Sequence, residues 1–341
     1  MSTAPLLHDV LIIGAGPGGL STATGLARQL YNTVVFTDET FRNARAQHMH
    51  NFAAWDHQPP SVFREKAKED LLTRYATVRF ENTKIATMSK TEAGHFTATD
   101  TQGRSWTGRK LVLAQGSEDS FPEIPGYTDC WVHGIFHCLF CHGYEDRGLP
   151  SSGVLCVGPY SGKPAMAIHI SCMARRLTEK VTLYTNGNAE LAESLVKLLE
   201  NDKDALHGRI HVVDREIAKL ERGQGHSSEV VMSFTDGGDS VTEGFLAHQP
   251  TSQPKGPFAQ QLGLELTPAG DIMVKQPFGE TSVPGVFAVG DCATPLKAVA
   301  QAVAMGALAA GGLSFQLGAE MSKADKEDDS HVSMLRPASG R

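Results

Sequence analysis

Asp9 to Glu39 reads DVLIIGAGPGGLSTATGLARQLYNTVVFTDE: an apolar run, a glycine turn, a helical stretch and a second apolar run. Strands apolar on both faces belong in a parallel sheet covered by helices, and parallel neighbours need a crossover helix. The segment is therefore a βαβ unit. Gly14, Gly16 and Gly19 fit G-x-G-x-x-G, with one glycine for the tight turn, one for close backbone approach to a pyrophosphate and one for helix-on-strand packing. Phosphates would sit on the helix N-terminus, where free N–H groups and the dipole favour anions. Gly153 to Gly187, GVLCVGPYSGKPAMAIHISCMARRLTEKVTLYTNG, repeats the design. Two such units predict an α/β protein with two Rossmann-like domains. Between them, a hairpin turning at Gly103 leads into a buried strand at Leu111–Ala114, and PEIPGY is a proline-punctuated linker.

The acidic ribose ligand of such a fold normally ends the second strand. Thr37 occupies that position and Asp38 follows it, so Asp38 is the candidate. The stretch RNARAQHMHNFAAWDHQPP, from Arg42, has no clean period and reads as a loop around a site, where His48, His50, Trp55 and His57 could line a substrate pocket.

With 341 residues, 41% of them hydrophobic, the chain can build about two domains of roughly 150 residues. A net charge of -7 offers no basic field to nucleic acid or an anionic membrane, and neither partner is expected. The N-terminus lacks a signal-peptide pattern, so a cytoplasmic setting is expected. Ala298 onward, AVAQAVAMGALAAGGLSF, reads as a buried helix too weak for a membrane span. The charge-dense tail 319–341 reads as a flexible extension.

The chemistry concentrates in HCLFCHGYE, His137 to Glu145. Cys-x-x-Cys spacing serves a zinc site, a pair of core thiols or a redox disulfide alike. A structural zinc site needs four ligands, and no two of Cys130, Cys156, Cys172 and Cys292 form a second pair, so no metal is expected. Those four read as small core hydrophobes. In a reducing compartment, any disulfide would be catalytic. Thiol exchange proceeds through a thiolate, which needs a base nearby. His142, directly after Cys141, can serve, with His137 as the alternative.

IIGAGPGGL, VLAQGS, IPGY, the Cys-x-x-Cys and VPGVFAVGD occur in the order of the low-molecular-weight thioredoxin reductases, and the chain resembles that family throughout except for its tail. The resemblance implies a discontinuous FAD-binding domain at 1–126 and 245–318, with a central NADPH-domain-like insert at 127–244 carrying the cysteines. It further implies a homodimer. Gly290 and Asp291 would meet the ribityl chain and phosphate of FAD, and the helix beginning near Ala298 and Val299 would point its positive end at the reduced ring. Pro17, Arg42, His50, Ala114 and Lys297 are further implied FAD contacts. Cys141 would face the flavin and Cys138 the substrate.

Two features depart from those reductases. In GPYSGKPA, Gly158 to Ala165, Tyr160 occupies the second glycine position, and TNGNAELAES after the next strand has no Arg or Lys for a 2'-phosphate. His142 stands where the reductases carry Asp. FHCLFCHGYE, RNARAQHMHN with the following WDH, and GDCATPLKAVAQAVAMG together resemble more closely the fungal dithiol oxidases that close the disulfide of gliotoxin-type epipolythiodioxopiperazines, and the missing nucleotide clamp agrees with that resemblance. These use FAD and O2, without NADPH, on a small-molecule dithiol. The alternative is an NADPH-dependent thioredoxin reductase.

Overall fold

The structure is a computed structural model that describes residues 6–225 and 228–334, with side chains to 323. The chain divides into two units. One comprises Met1–Ala44, Ser61–Glu118 and Gln253–Arg341; the other comprises Arg45–Pro60 and Asp119–Ser252. The insert expected at 127–244 thus extends to 119–252. It also takes in Arg45–Pro60, which the sequence placed with the first unit.

The first unit is built on a sheet whose strands run in the order Val78–Asn82, Thr33–Thr37, Leu7–Ile13, Ser105–Leu113, Phe96–Asp100, Ile85–Lys90, with Val286–Ala288 also paired to Ser105–Leu113. Leu7–Ile13 runs parallel to both Thr33–Thr37 and Ser105–Leu113. Val10, Leu11, Ile12, Val34, Val35, Leu111, Val112 and Leu113 are all buried, as the apolar runs require of strands covered on both faces. The hairpin is formed by Phe96–Asp100 and Ser105–Leu113, turning through Gly103.

Helix Pro17–Ala27 packs directly on helix Val299–Met334. A Cβ on Gly25 would lie 2.5 Å from the Ala310 Cβ, and one on Gly306 would lie 2.3 Å from the Gly18 carbonyl oxygen. Small residues bring the two backbones into contact. Ala309, Ala310, Leu313 and Leu317 are buried in the same core. By length and composition Val299–Lys323 could also cross a membrane, its most apolar 18-residue window having mean hydropathy 1.4, but its packing on Pro17–Ala27 is that of the buried helix the sequence led one to expect. The helix then continues to Met334, through much of the stretch expected to be a flexible extension. Ala, Glu, Met and Lys in that stretch favour helix, so charge density alone was a poor guide. Residues 335–341 lie outside the described residues.

In the second unit, five parallel strands run in the order Ile210–Val213, Lys180–Tyr184, Ser151–Leu155, Leu246–Ala247, Ile135–Phe136. A three-stranded antiparallel sheet of Ile217–Arg222, Val230–Phe234 and Val241–Glu243 accompanies them. Both Rossmann-like βαβ units of the sequence are therefore present.

Candidate active site

In the first unit the glycine turn leaves strand Leu7–Ile13 and enters helix Pro17–Ala27. Gly14 has φ +111°, and a Cβ there would stand 2.2 Å from the Ala114 carbonyl oxygen; one on Gly19 would stand 1.9 Å from that of Gly14. No larger residue fits either position. Ala114 floors the turn and donates its N–H to the Ile13 carbonyl at 2.8 Å. Pro17 takes the first helical position, where its missing N–H costs nothing.

Gly16 differs from its neighbours: its φ is an ordinary -75°, and nothing lies within 4 Å of a Cβ placed on it. The open space beside a helix N-terminus is what a pyrophosphate needs. Close by, both polar atoms of the buried Gln115 amide lack any partner among the described residues. A buried amide left unpaired is costly, and a bound ligand would satisfy it. The cradle and the orphaned amide fit a flavin dinucleotide. Gly16→Val is expected to leave the circular dichroism unchanged while most flavin is lost, read as flavin absorbance relative to protein absorbance. Full flavin content in that variant would place the phosphates elsewhere.

Asp38 accepts hydrogen bonds from Lys255 Nζ (2.8 Å) and Thr40 Oγ1 (2.7 Å). Burial works against its charge, but Lys255 and Thr40 together hold the carboxyl below the usual carboxylate range. It stays ionised, with part of its accepting capacity committed to protein. Arg42 reaches the Asp291 carboxylate at 3.5 Å. Lys297 has a different role from the one expected. Its three donors are taken by Asp271 Oδ1 (2.9 Å), the Asp291 carbonyl (2.8 Å) and the Thr294 carbonyl (3.0 Å). An ammonium has three N–H groups, so Lys297 holds the Gly290–Cys292 turn and leaves no donor for a cofactor. Ala298 and Val299 open the long helix as expected, with Ala298 accepting from the Ala302 N–H.

In the second unit Cys138 and Cys141 form a disulfide, Cα to Cα 5.3 Å. The bond closes a turn between strands Ile135–Phe136 and Ser151–Leu155, and the Cys138 carbonyl accepts from both the Cys141 and His142 N–H groups at 3.1 Å. The His142 ring stacks on Phe136, centroids 5.0 Å apart and planes 17° apart. Solvent still reaches part of it, but the surrounding protein is dense. Desolvation, reinforced by His50 and opposed by Glu145, pushes its pKa down to about 4. His142 is therefore a neutral imidazole at pH 7. The His137 ring lies 5.6 Å from that of Trp131.

His50 lies in this unit, where its Nε2 faces Glu145 at 3.6 Å and its Nδ1 faces Asp56 at 3.7 Å. The sequence placed it among the FAD contacts; within its own unit it stands beside the redox turn. The loop had no period from which its packing could be read. His48 stacks on His57 at 4.3 Å. Cys130, Cys156 and Cys292 are buried and their thiols are pushed up, to about 11, 12 and 12, by desolvation first. Cys172 is exposed, a correction to its expected burial: it sits on the outer face of helix Pro164–Ala174, while Ala167, Ser171 and Ala174 face inward.

Glycine cradle and redox turn occur together in the family described as pyridine nucleotide-disulphide oxidoreductase, which matches residues 8–306. The chain belongs to this family. Among its members, the chain is 43% identical over 313 residues to the Aspergillus oryzae protein "Thioredoxin reductase aclD", covering 91% of this chain and 96% of that one. It is 40% identical over 331 residues to the Leptosphaeria maculans "Thioredoxin reductase sirT", with coverage of 96% and 99%. Of solved structures, an oxidoreductase from Agrobacterium tumefaciens superposes with TM-score 0.79 at 32% identity, covering 92% of this chain and 99% of that one. As a pyridine nucleotide-disulphide oxidoreductase of the thioredoxin reductase-like kind, the chain is a flavin-type disulfide oxidoreductase.

Gln115 is the residue that sequence reasoning missed. It stands inside the VLAQGS motif, and the missed signal was a polar side chain placed directly after a fully buried strand.

Proposed function

We propose that the protein is an FAD-dependent dithiol oxidase, forming a disulfide in a small-molecule dithiol of the epipolythiodioxopiperazine kind with O2 as acceptor. The observation that carries this reading is the Cys138–Cys141 disulfide beside a neutral imidazole, in a unit whose nucleotide turn has been rebuilt.

In that turn Tyr160 is more than a third exposed, and the buried Ser161 hydroxyl accepts from the Gln249 N–H at 2.9 Å. After strand Lys180–Tyr184, the residues where a 2'-phosphate clamp would stand have local duties. Thr185 donates to Asp214, Asn186 accepts from the Ile217 N–H, and Asn188 caps helix Ala189–Leu199 through the Leu191 N–H. None is cationic. NADPH would meet Tyr160 where the second glycine of the turn should stand, and no arginine in the stretch that follows the next strand.

The chain's own residues then act in sequence. A substrate thiolate attacks Cys138 Sγ, the Cys138–Cys141 bond breaks, and Cys141 leaves as thiolate. The substrate's second thiol loses its proton to His142 and attacks the sulfur joined to Cys138, closing the substrate disulfide and releasing Cys138. Two electrons and two protons leave the dithiol. FAD, when bound, would supply the two-electron acceptor for the cysteine pair, and O2 would take those two electrons with two protons to give hydrogen peroxide. Gly14, Gly16, Gly19, Gln115 and Asp291 would hold it. A second copy of the chain and a cytoplasmic setting complete the proposal.

The names of the relatives favour the second reading, an NADPH-dependent thioredoxin reductase. The two separate cleanly under anaerobic conditions. A small dithiol is expected to bleach the flavin absorbance within the dead time of manual mixing, and NADPH is expected to leave it unchanged. Bleaching by NADPH with none by dithiol would establish the reductase instead.

A further inference from the structure

Beside the redox turn, the ligand atoms of His50, His57 and Glu145 all lie within 4.8 Å of one another. Two imidazoles and a carboxylate are the donor set that zinc takes in sites with three protein ligands, leaving a fourth position for water or another ligand. Sequence spacing gives no hint of this, because His50 and His57 come from one segment and Glu145 from another. The arrangement around His50 is ordered as a metal ligand's would be. Its Nε2 faces Glu145, while its Nδ1 faces Asp56 at 3.7 Å, and the Asp56 carboxylate is itself held by the Asn51 N–H at 2.9 Å. A carboxylate on the side of the second ring nitrogen favours a proton there and so leaves the first nitrogen's lone pair for the ion. The His50 side chain is only 14% exposed and so is held in place, whereas Glu145 is 46% exposed and His57 is open to solvent. Zinc bonds of about 2.0 to 2.2 Å require the three donors to draw closer, and His57 would do so by sliding on its stack with His48.

We propose that His50, His57 and Glu145 form a Zn2+ site that ties the segment Arg45–Pro60 to the redox turn. The oxygen and nitrogen donors and the borderline-soft ion match, whereas Mg2+ and Ca2+ prefer all-oxygen shells. With three protein ligands the ion keeps one open position, which a thiolate fills better than water does. Nothing in the site draws on the disulfide sulfurs, so it persists when the cysteine pair is oxidised. It stands apart from the oxidase reading, since it concerns binding alone.

The test uses the full-length, FAD-loaded protein in its disulfide form, titrated with Zn2+ against a chromogenic chelator. One ion per chain is expected to be retained by the parent, with a rise in Tm. His57→Ala and Glu145→Gln, both surface substitutions, are expected to lose the ion and the Tm rise, while Asp56→Asn weakens affinity about 10- to 100-fold. X-ray absorption of the loaded parent should show nitrogen and oxygen neighbours only. Equal Zn2+ affinity in parent and both ligand variants, or sulfur in the first shell, overturns the proposal.

Discussion

Cys138→Ala and Cys141→Ala, each alone, are expected to reduce dithiol oxidation to the rate of the free flavin reaction, with FAD content unchanged. The two substitutions fail at different steps. Without Cys138 there is no sulfur for the substrate to attack. Without Cys141 the Cys138 thiol has no disulfide to open, and the two electrons have nowhere to pause. Neither variant touches the glycine turn Gly14–Gly19, the Lys297-held turn or Gln115, so flavin absorbance should match the parent. The outer face also predicts a control: Cys172→Ala removes the one exposed free thiol among the described cysteines and should leave turnover as it was. Oxygen consumption and peroxide release measure all three. Retained turnover in either active-site variant, or loss of flavin with the cysteine, would sink these assignments.

His142→Ala is expected to lower turnover by about 10²- to 10⁴-fold, the usual contribution of a positioned acid–base group, with flavin retained. Its pH signature follows from burial. An ordinary histidine would give an acid limb near 6 to 7, which is where the sequence alone puts it. Desolvation first, and then His50, lower the pKa of His142 to about 4 against the opposing pull of Glu145. A group with a lowered pKa loses its proton earlier as pH rises. The imidazole is therefore neutral, and able to accept, throughout the range above about 4. The parent's rate should be insensitive to this group from pH 5.5 to 8 and fall only as pH approaches 4. His142→Ala should lack that fall and depend instead on ionisation of the substrate thiol. Weak basicity has a use: a proton taken by His142 is held loosely and readily returned to the departing cysteine. Steady-state rates of parent and variant across pH 3.5 to 8 decide the matter. An acid limb at 6 to 7 that vanishes with His142 would refute the burial argument.

The sequence made legible what short-range sterics dictate. Gly14 and Gly19 could be assigned because only glycine escapes the contacts with Ala114 and Gly14 that their positions impose. The cysteine pair could be assigned because its two members share one turn. What depended on packing between distant segments was not legible. Lys297 satisfies acceptors on Asp271, Asp291 and Thr294, so its role as a brace rather than a ligand emerges only with the fold. His50 was expected among the FAD contacts or lining a pocket, but its place beside Glu145 of the redox turn could not be read, because its loop has no period. Asp38 was found as an acid but its tether to Lys255 was not, because the two lie far apart in the chain. The depressed pKa of His142 could not be foreseen either, since it comes from Phe136 beneath the ring and from a loop that arrives from elsewhere.

The contact of helix Pro17–Ala27 with helix Val299–Met334 sets an order of assembly during synthesis. The ribosome delivers Gly18 and Gly25 early, but their partners Gly306 and Ala310, and the strand Val286–Ala288 that pairs with Ser105–Leu113, come almost last. Until then the first helix has no mate and its apolar face stays open. The other unit has all its strands by Ala247 and can close while the nascent chain is still growing. The chain therefore makes its redox turn before it can finish its nucleotide cradle. A truncation at the C-terminal helix would strike the earliest-made residues hardest.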